Sequence, residues 1–92
     1  MTEHRSAIGI ERDILKCFIQ TNGRFIRRRP YYIQTRANLP GNTFERNKYL
    51  ASLGERGFII KHALTVSQKN REYEITIDGL NYLRLIEEIL NK

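Results

Sequence analysis

The sequence predicts an α+β fold in which three helices are followed by a small antiparallel sheet and a final helix. Three observations support this prediction. Apolar residues recur at helical spacing near the N-terminus, a Pro-Gly pair precedes a capped helix near the middle, and two β-rich runs flank a polar loop in the second half. A chain of 92 residues suffices for about one small domain, so residues 1–92 are expected to form a single domain.

The first helix is predicted from Ile8 to Thr21, where Ile10, Ile14 and Phe18 fall at helical spacing. The pair Asn22-Gly23 is expected to end it. The arginine-rich segment that follows is short and is consistent with a brief strand.

The second helix is predicted to begin at Pro30, because a proline in the first helical turn loses no hydrogen bond. Ile33 and Ala37 should turn inward. The pair Pro40-Gly41 is expected to prevent this helix from continuing.

The third helix is predicted from Thr43 to Arg56. Asn42, with Glu45 three residues later, matches a capping box that starts a helix. Leu50 and Leu53, nearly one turn apart, are the expected inward anchors. Two short helices joined by a tight turn are typical of a helix-turn-helix.

The next two runs, "FIIKHALT" and "REYEITI", predict the strands of a wing, with a polar loop over about 66–71. Tyr73, Ile75 and Ile77 alternate with polar residues, as expected for a half-buried strand. The complete pattern therefore predicts a winged helix-turn-helix with a two- or three-stranded wing sheet.

A last helix is predicted after Asp78-Gly79. Its apolar residues, like those of the first helix, cover more than half the circumference, and a three-helix core can bury only one side of each. The remainder is expected to form a homodimer interface. Its predicted members are Ile10, Cys17, Tyr82, Leu85, Ile86 and Ile89. A disulfide between subunits through Cys17 is an alternative to a buried thiol if the source is a hyperthermophile.

The positive charge is concentrated in one part of the chain. The formal net charge is +6, and the segment from position 24 to position 48 contains seven basic residues and one acid, while the rest of the chain balances. A field of this kind suits a phosphate-binding surface, although a basic face can also serve only solubility.

Catalytic signatures are weak in this sequence. His4 and His62 have no second histidine, cysteine or carboxylate pair at metal-ligand spacing, and Cys17 has no nucleophile signature. No phosphate-binding glycine-rich loop is present. The sequence thus predicts no enzyme, no cofactor, no small-molecule pocket and no membrane span. The single cysteine and the polar N-terminus favour a cytoplasmic protein.

Two segments resemble a known family. "NKYLASLGERGFI", followed by "EYEITIDGLNYL", is similar to the small winged helix-turn-helix DNA-binding regulators of archaea and of archaeal viruses, whose architecture is close to that of MarR-like regulators. The resemblance implies a cytoplasmic transcriptional regulator, in the host cytoplasm if the protein is viral. These motifs identify the fold better than the target.

Arg46 departs from that family pattern. It lies one turn before Leu50, where such proteins usually have an apolar residue. Either Phe44 takes over the packing, or the helix begins in a shifted register.

Two hypotheses of function follow. In the first, the chain binds double-stranded DNA at a specific, palindromic site, with the third helix in the major groove and the wing on the backbone. In the second, a winged-helix interaction module docks an acidic protein through its basic segment. Polar side chains between the cations favour DNA.

The predicted base contacts are Thr43, Arg46, Asn47 and Lys48. The predicted backbone contacts are Arg28, Arg29, Tyr31, Arg36, Gln68, Lys69 and Arg71.

Overall fold

The computed structural model describes residues 6–39, 41, 43–63 and 71–91. Its elements follow the order α1 (Ala7–Lys16), α2 (Pro30–Arg36), α3 (Thr43–Glu55), β1 (Ile59–Ala63), β2 (Arg71–Ile75) and α4 (Ile77–Leu90). The strands pair antiparallel, with Ile59 opposite Ile75. The predicted α+β class and the order of its elements are confirmed.

The core is one cluster of buried residues to which all four helices and both strands contribute, with α1 packed against α4 and α2, and with α3 packed against β1. Phe18, Ile14 and Ile33 are among its largest fully buried side chains. This scaffold leaves one face of α3 exposed, which matters for the candidate site.

The end of α1 differs from the prediction. The helix stops at Lys16 and does not continue to Thr21. The backbone beyond it turns back through residues 22–23, so that the carbonyl of Phe18 accepts a hydrogen bond of 2.9 Å from the N–H of Ile26. Pairing with the following segment therefore replaces the last predicted helical turn.

The arginine-rich segment contributes single bridges. Ile19 pairs with Phe25, and Arg28 pairs with Tyr73 of β2 through two backbone hydrogen bonds of 3.0 and 2.8 Å. Over the described residues the wing sheet is two-stranded, and the Arg28 bridge extends it by one position.

The inward residues of α2 agree with the prediction, since Ile33 and Ala37 are buried and Pro30 occupies the first turn. A closing motif that was not predicted ends α2. Asn38 adopts a left-handed conformation with φ of 54°, and the N–H of Leu39 donates to an α2 carbonyl at 2.9 Å. This closing motif ends the helix before the Pro-Gly pair, of which Pro40 lies outside the described residues.

Helix α3 begins at Thr43 as predicted and ends at Glu55, one residue before the predicted end. Leu50 and Leu53 are buried, as expected. Gly57 then adopts a φ of 79°, which is open to glycine at no steric cost and turns the chain into β1. The proposed cap residue, Asn42, lies outside the described residues.

Helix α4 begins earlier than predicted. Thr76 is its N-cap, and the threonine hydroxyl accepts a hydrogen bond of 2.9 Å from the N–H of Gly79. Asp78 and Gly79 therefore belong to the first helical turn and do not form a separate turn. Ile77, predicted on the buried side of a strand, is instead 79% exposed.

Cys17 is a free, buried thiol whose exposed fraction is 4%. Burial raises the pKa of Cys17 from its ordinary value of 9.0 to about 11, and the guanidinium of Arg28 opposes this only partly. The thiol donates to the carbonyl of Asp13 at 3.3 Å. These surroundings favour a structural role for the side chain.

Alkylation of Cys17 is expected to be about a hundredfold slower in the folded protein than in urea, because burial restricts access to the thiol and a rise of two pKa units lowers the thiolate fraction by about that factor. Iodoacetamide labelling at pH 8, followed by mass spectrometry, measures both rates. Equal rates would contradict the buried thiol, and a disulfide-linked dimer in non-reducing electrophoresis would instead support the intersubunit bond.

Two features are absent from residues 6–39, 41, 43–63 and 71–91. None of the helices there combines the length and the apolar character that a bilayer crossing requires. No group of three His, Cys, Asp or Glu side chains is placed to hold a metal ion.

Candidate nucleic-acid interface

The outward face of α3 combines polar, basic, aromatic and small side chains. Leu50 and Leu53 fix the opposite side in the core, so the rotation of the helix is determined by packing. The exposed positions in its first two and a half turns are Thr43, Phe44, Asn47, Lys48 and Ala51. Three of the four predicted base contacts, Thr43, Asn47 and Lys48, lie on this face.

Arg46, the fourth predicted base contact, is half-buried and points toward α2. Its Nη1 donates to Oε1 of Gln34 at 3.0 Å. Partial desolvation, and secondarily the guanidinium of Arg71, lowers the pKa of Arg46. Phe44 is 69% exposed and α3 begins as predicted. Neither proposed explanation of Arg46 is therefore right, since a polar contact with α2 takes the place of apolar packing.

The side-chain amide of Asn47 is held on its oxygen side. Oδ1 accepts from Nε of Arg46 at 3.2 Å and from Nη2 of Arg71 at 3.3 Å. These two bonds use the two lone pairs of the amide oxygen, so the NH₂ group is the part of Asn47 that remains to be offered outward. The two arginine donors also fix which amide atom is the oxygen.

Arg71 connects the wing to α3. It begins β2, and its Nε donates to the hydroxyl of Tyr73 at 3.3 Å while its Nη2 reaches Asn47. The two guanidinium groups of Arg46 and Arg71 therefore share a neutral amide between them. Like charges held this close favour an anion at their outer side.

Three predicted backbone contacts on α2 and at its start, two arginines and a tyrosine, are exposed. Arg29 is the exposed N-cap residue of α2, Arg36 is exposed in its last turn, and Tyr31 is 77% exposed. Each is accessible to a backbone phosphate. Two further predicted backbone contacts, Gln68 and Lys69, lie outside the described residues.

Arg28 has a structural role that the sequence did not indicate. Its Nε donates to the carbonyl of Cys17 at 2.9 Å, and its guanidinium lies 3.9 Å above the ring centre of Tyr32. The cation thereby binds the carbonyl end of α1, where the helix dipole is negative. Three consecutive arginines before a proline gave no signal that one of them would face inward.

The predicted dimer residues fall into different environments. Leu85 and Ile89, one turn apart on α4, are 54% and 51% exposed. Ile10 is partly buried against the core, whereas Cys17 and Ile86 are buried within it. The core of the same chain thus accounts for Cys17 and Ile86.

Tyr82 belongs to a network that sequence reasoning missed. Its hydroxyl donates to Oε1 of Glu11 at 2.6 Å, and the guanidinium of Arg56 donates to the other oxygen of that carboxylate. Tyr82 also stacks on Phe58, with ring centres 4.3 Å apart. Burial and the bond to Glu11 raise the pKa of Tyr82, which keeps the phenol protonated as a donor. Glu11 among apolar neighbours in α1 was the available signal.

Searches against known proteins found likeness in structure alone. No protein-family model and no curated protein matches this chain. Among solved structures, TubR of type III plasmid segregation superposes with a TM-score of 0.60 at 13% identity, covering 96% of this chain and 91% of that one. The chain shares its fold with TubR. A second TubR structure, bound to 24 bp of tubC from Bacillus thuringiensis serovar israelensis pBtoxis, gives a TM-score of 0.61 at 12% identity, with 95% and 98% covered.

Proposed function

We propose that this chain binds a specific double-stranded DNA site, with α3 in the major groove. The observation that carries the proposal is the exposed face of α3, where Thr43, Asn47 and Lys48 project together while Leu50 and Leu53 anchor the opposite side. A helix held in this way can present donors to base edges. The DNA-bound TubR structure has the same fold.

The basic and neutral polar side chains around α3 are assigned to phosphates. Arg29, Tyr31 and Arg36 are exposed along α2, and Arg71 lies where the wing meets α3. Arg46, beside Arg71, adds positive charge. Its guanidinium already donates to Asn47 and Gln34, so it is not proposed to make a bidentate contact with a base. Arg28 and the wing residues Gln68 and Lys69 complete the set proposed from the sequence. Cations that flank a base-contacting helix fix its register on the duplex.

A homodimer on a palindromic site is the second part of the proposal. Leu85 and Ile89 form an exposed apolar pair on α4, and Ile10 of α1 and Tyr82 of α4 are only partly buried. Pairing through this surface would place two α3 helices on one duplex. Sedimentation at micromolar concentration, with Leu85→Glu as the variant, tests it: a wild-type monomer contradicts the dimer.

The biological use of the site is also proposed. The resemblance to archaeal and viral MarR-like regulators favours transcriptional regulation, whereas the TubR structures come from plasmid segregation. Both uses need the same DNA-binding face. The position of the bound site distinguishes them, because regulation requires a site beside a promoter, whereas segregation requires a site on the plasmid that is segregated.

Selection of bound duplexes from a random pool is the direct test. A recovered consensus supports sequence-specific binding, and a palindrome supports the dimer. Failure to retain any duplex at low salt contradicts the proposal and favours the interaction module with an acidic protein partner.

Replacing Arg29 with alanine is expected to weaken binding to all duplexes alike and to lower the slope of log affinity against log salt by about one unit, because one phosphate contact is lost. Titrations between 50 and 200 mM salt measure the slope. Arg84→Ala is the matched control, since Arg84 is an exposed arginine on α4 and should leave the slope unchanged. Equal slopes for the wild type and Arg29→Ala would remove Arg29 from the interface.

Replacing Asn47 with alanine should instead cost about 1–3 kcal/mol on the selected site and much less on random duplex, because a base contact is lost. Competition titrations with both duplexes measure the difference. Similar losses on both duplexes would show that Asn47 does not contribute to specificity.

A further inference from the structure

Phe44 is a largely exposed aromatic residue on the outward face of α3. It lies in the first turn of α3 and is 69% exposed. Asn47 and Lys48 follow it by three and four positions, so the three side chains share one face, with Cβ atoms about 5–6 Å apart. Scattered exposed apolar residues are common on proteins, but this one lies among the side chains proposed to contact bases.

We propose that Phe44 determines specificity by contacting the C5-methyl group of a thymine, while the NH₂ group of Asn47 donates to O4 of that thymine or of its neighbour. This inference rests on the proposed function, since it assumes α3 in the major groove. It differs from the bidentate contact with adenine that an asparagine commonly makes in the major groove.

The chemistry of the two side chains matches one base edge. In the major groove a thymine presents a methyl group and the acceptor O4, so its complement is an apolar surface beside a donor. Phe44 supplies the surface and Asn47 the donor. A bidentate contact with adenine needs the amide oxygen as an acceptor, and that oxygen already receives Arg46 and Arg71. The edge of an adenine, moreover, has no methyl group for Phe44.

Substitution of thymine by deoxyuridine tests the methyl contact, because it removes only the C5-methyl group. The selected duplex is scanned one thymine at a time with the wild type, with Phe44→Ala and with Phe25→Ala. Phe25 is a matched control of the same residue type, 59% exposed and outside α3. We expect about a fivefold loss for the wild type at one or two thymines per half-site. Phe44→Ala should show no loss there, and Phe25→Ala should behave as the wild type does.

A second scan tests the role of Asn47. Replacement of each adenine by 7-deaza-adenine removes the N7 acceptor, which a bidentate adenine contact requires. Both the wild type and Asn47→Ala are titrated with each replaced duplex. The proposal expects no adenine whose replacement weakens binding by the wild type but leaves binding by Asn47→Ala unchanged. An adenine of that kind would overturn the assignment of Asn47 to thymine.

The outcomes distinguish a failure of the thymine contact from a failure of DNA binding. If the wild type binds its selected duplex but tolerates every deoxyuridine, or if Phe44→Ala keeps the wild-type sensitivity, the thymine contact is refuted and DNA binding stands. If the wild type selects no duplex, both proposals fail together. Circular dichroism of Phe44→Ala confirms that a lost sensitivity does not reflect unfolding.

Discussion

Replacing Gly79 with alanine is expected to lower the free energy of unfolding by about 3 kcal/mol. A Cβ atom at this position would overlap the carbonyl oxygen of Phe58 and would lie 2.9 Å from Cγ1 of Ile75. That carbonyl cannot move away easily, because it accepts the N–H of Thr76 at 3.0 Å. The added methyl group must therefore separate the start of α4 from the turn before β1.

Gly54→Ala is the matched control. Gly54 lies inside α3, and a Cβ atom there would meet nothing within 4 Å. Since alanine favours helix by up to about 1 kcal/mol over glycine, this variant should be as stable as the wild type or more so. Urea denaturation followed by circular dichroism measures both. A Gly79→Ala variant as stable as Gly54→Ala would show that α4 can shift away from Phe58 at little cost.

The elements that local signals determine were predictable from the sequence. The bounds of α3, to within one residue, and the presence of two wing strands follow from apolar spacing, from Gly57 and from β-branched residues close together in the chain. The predictions that were wrong concern positions whose conformation depends on residues distant in the sequence. Whether α1 continues past Lys16 is decided by a segment about ten residues further on, and the cap at Thr76 depends on the turn before β1.

Some features of the candidate site were likewise predictable from the sequence, and others were not. The exposed face of α3 could be predicted from the burial of Leu50 and Leu53 alone. The inward roles of Arg28 and Arg46 could not, because each depends on which carbonyl or amide a long side chain reaches in the folded chain. The amide oxygen of Asn47 shows the consequence for function. Its partners come from α3 and from the wing, and they leave the NH₂ group as the part of Asn47 that can contact a base.

The network of Glu11, Arg56 and Tyr82 connects the end of α3 to α1 and α4. The side chain of Glu11 is only 9% exposed, whereas that of Arg56 is 38% exposed. Arg56 also donates from Nε to the carbonyl of Ser52, in the last turns of α3. The network thus helps to fix the angle at which α3 leaves the core.

Replacing either Glu11 with glutamine or Arg56 with methionine is expected to lower the free energy of unfolding by about 2 kcal/mol. Loss of Arg56 leaves a buried carboxylate with fewer donors, and loss of the carboxylate charge weakens the bonds from Arg56 and Tyr82. The expected loss of stability is smaller than for a fully buried ion pair, because Arg56 is partly exposed and solvent screens part of its attraction to Glu11.

A double-mutant cycle isolates the pair. The coupling energy between Glu11 and Arg56 is expected to be about 1–2 kcal/mol, measured by urea denaturation of the two single variants and the double variant. The neighbouring ion pair of Arg12 and Asp13, with N and O atoms 3.1 Å apart, serves as the control and should give less than about 0.5 kcal/mol. Equal couplings for the two pairs would mean that burial of Glu11 adds nothing. In that case apolar packing alone would hold α3 at its angle, and the Glu11→Gln variant should bind the selected duplex as the wild type does.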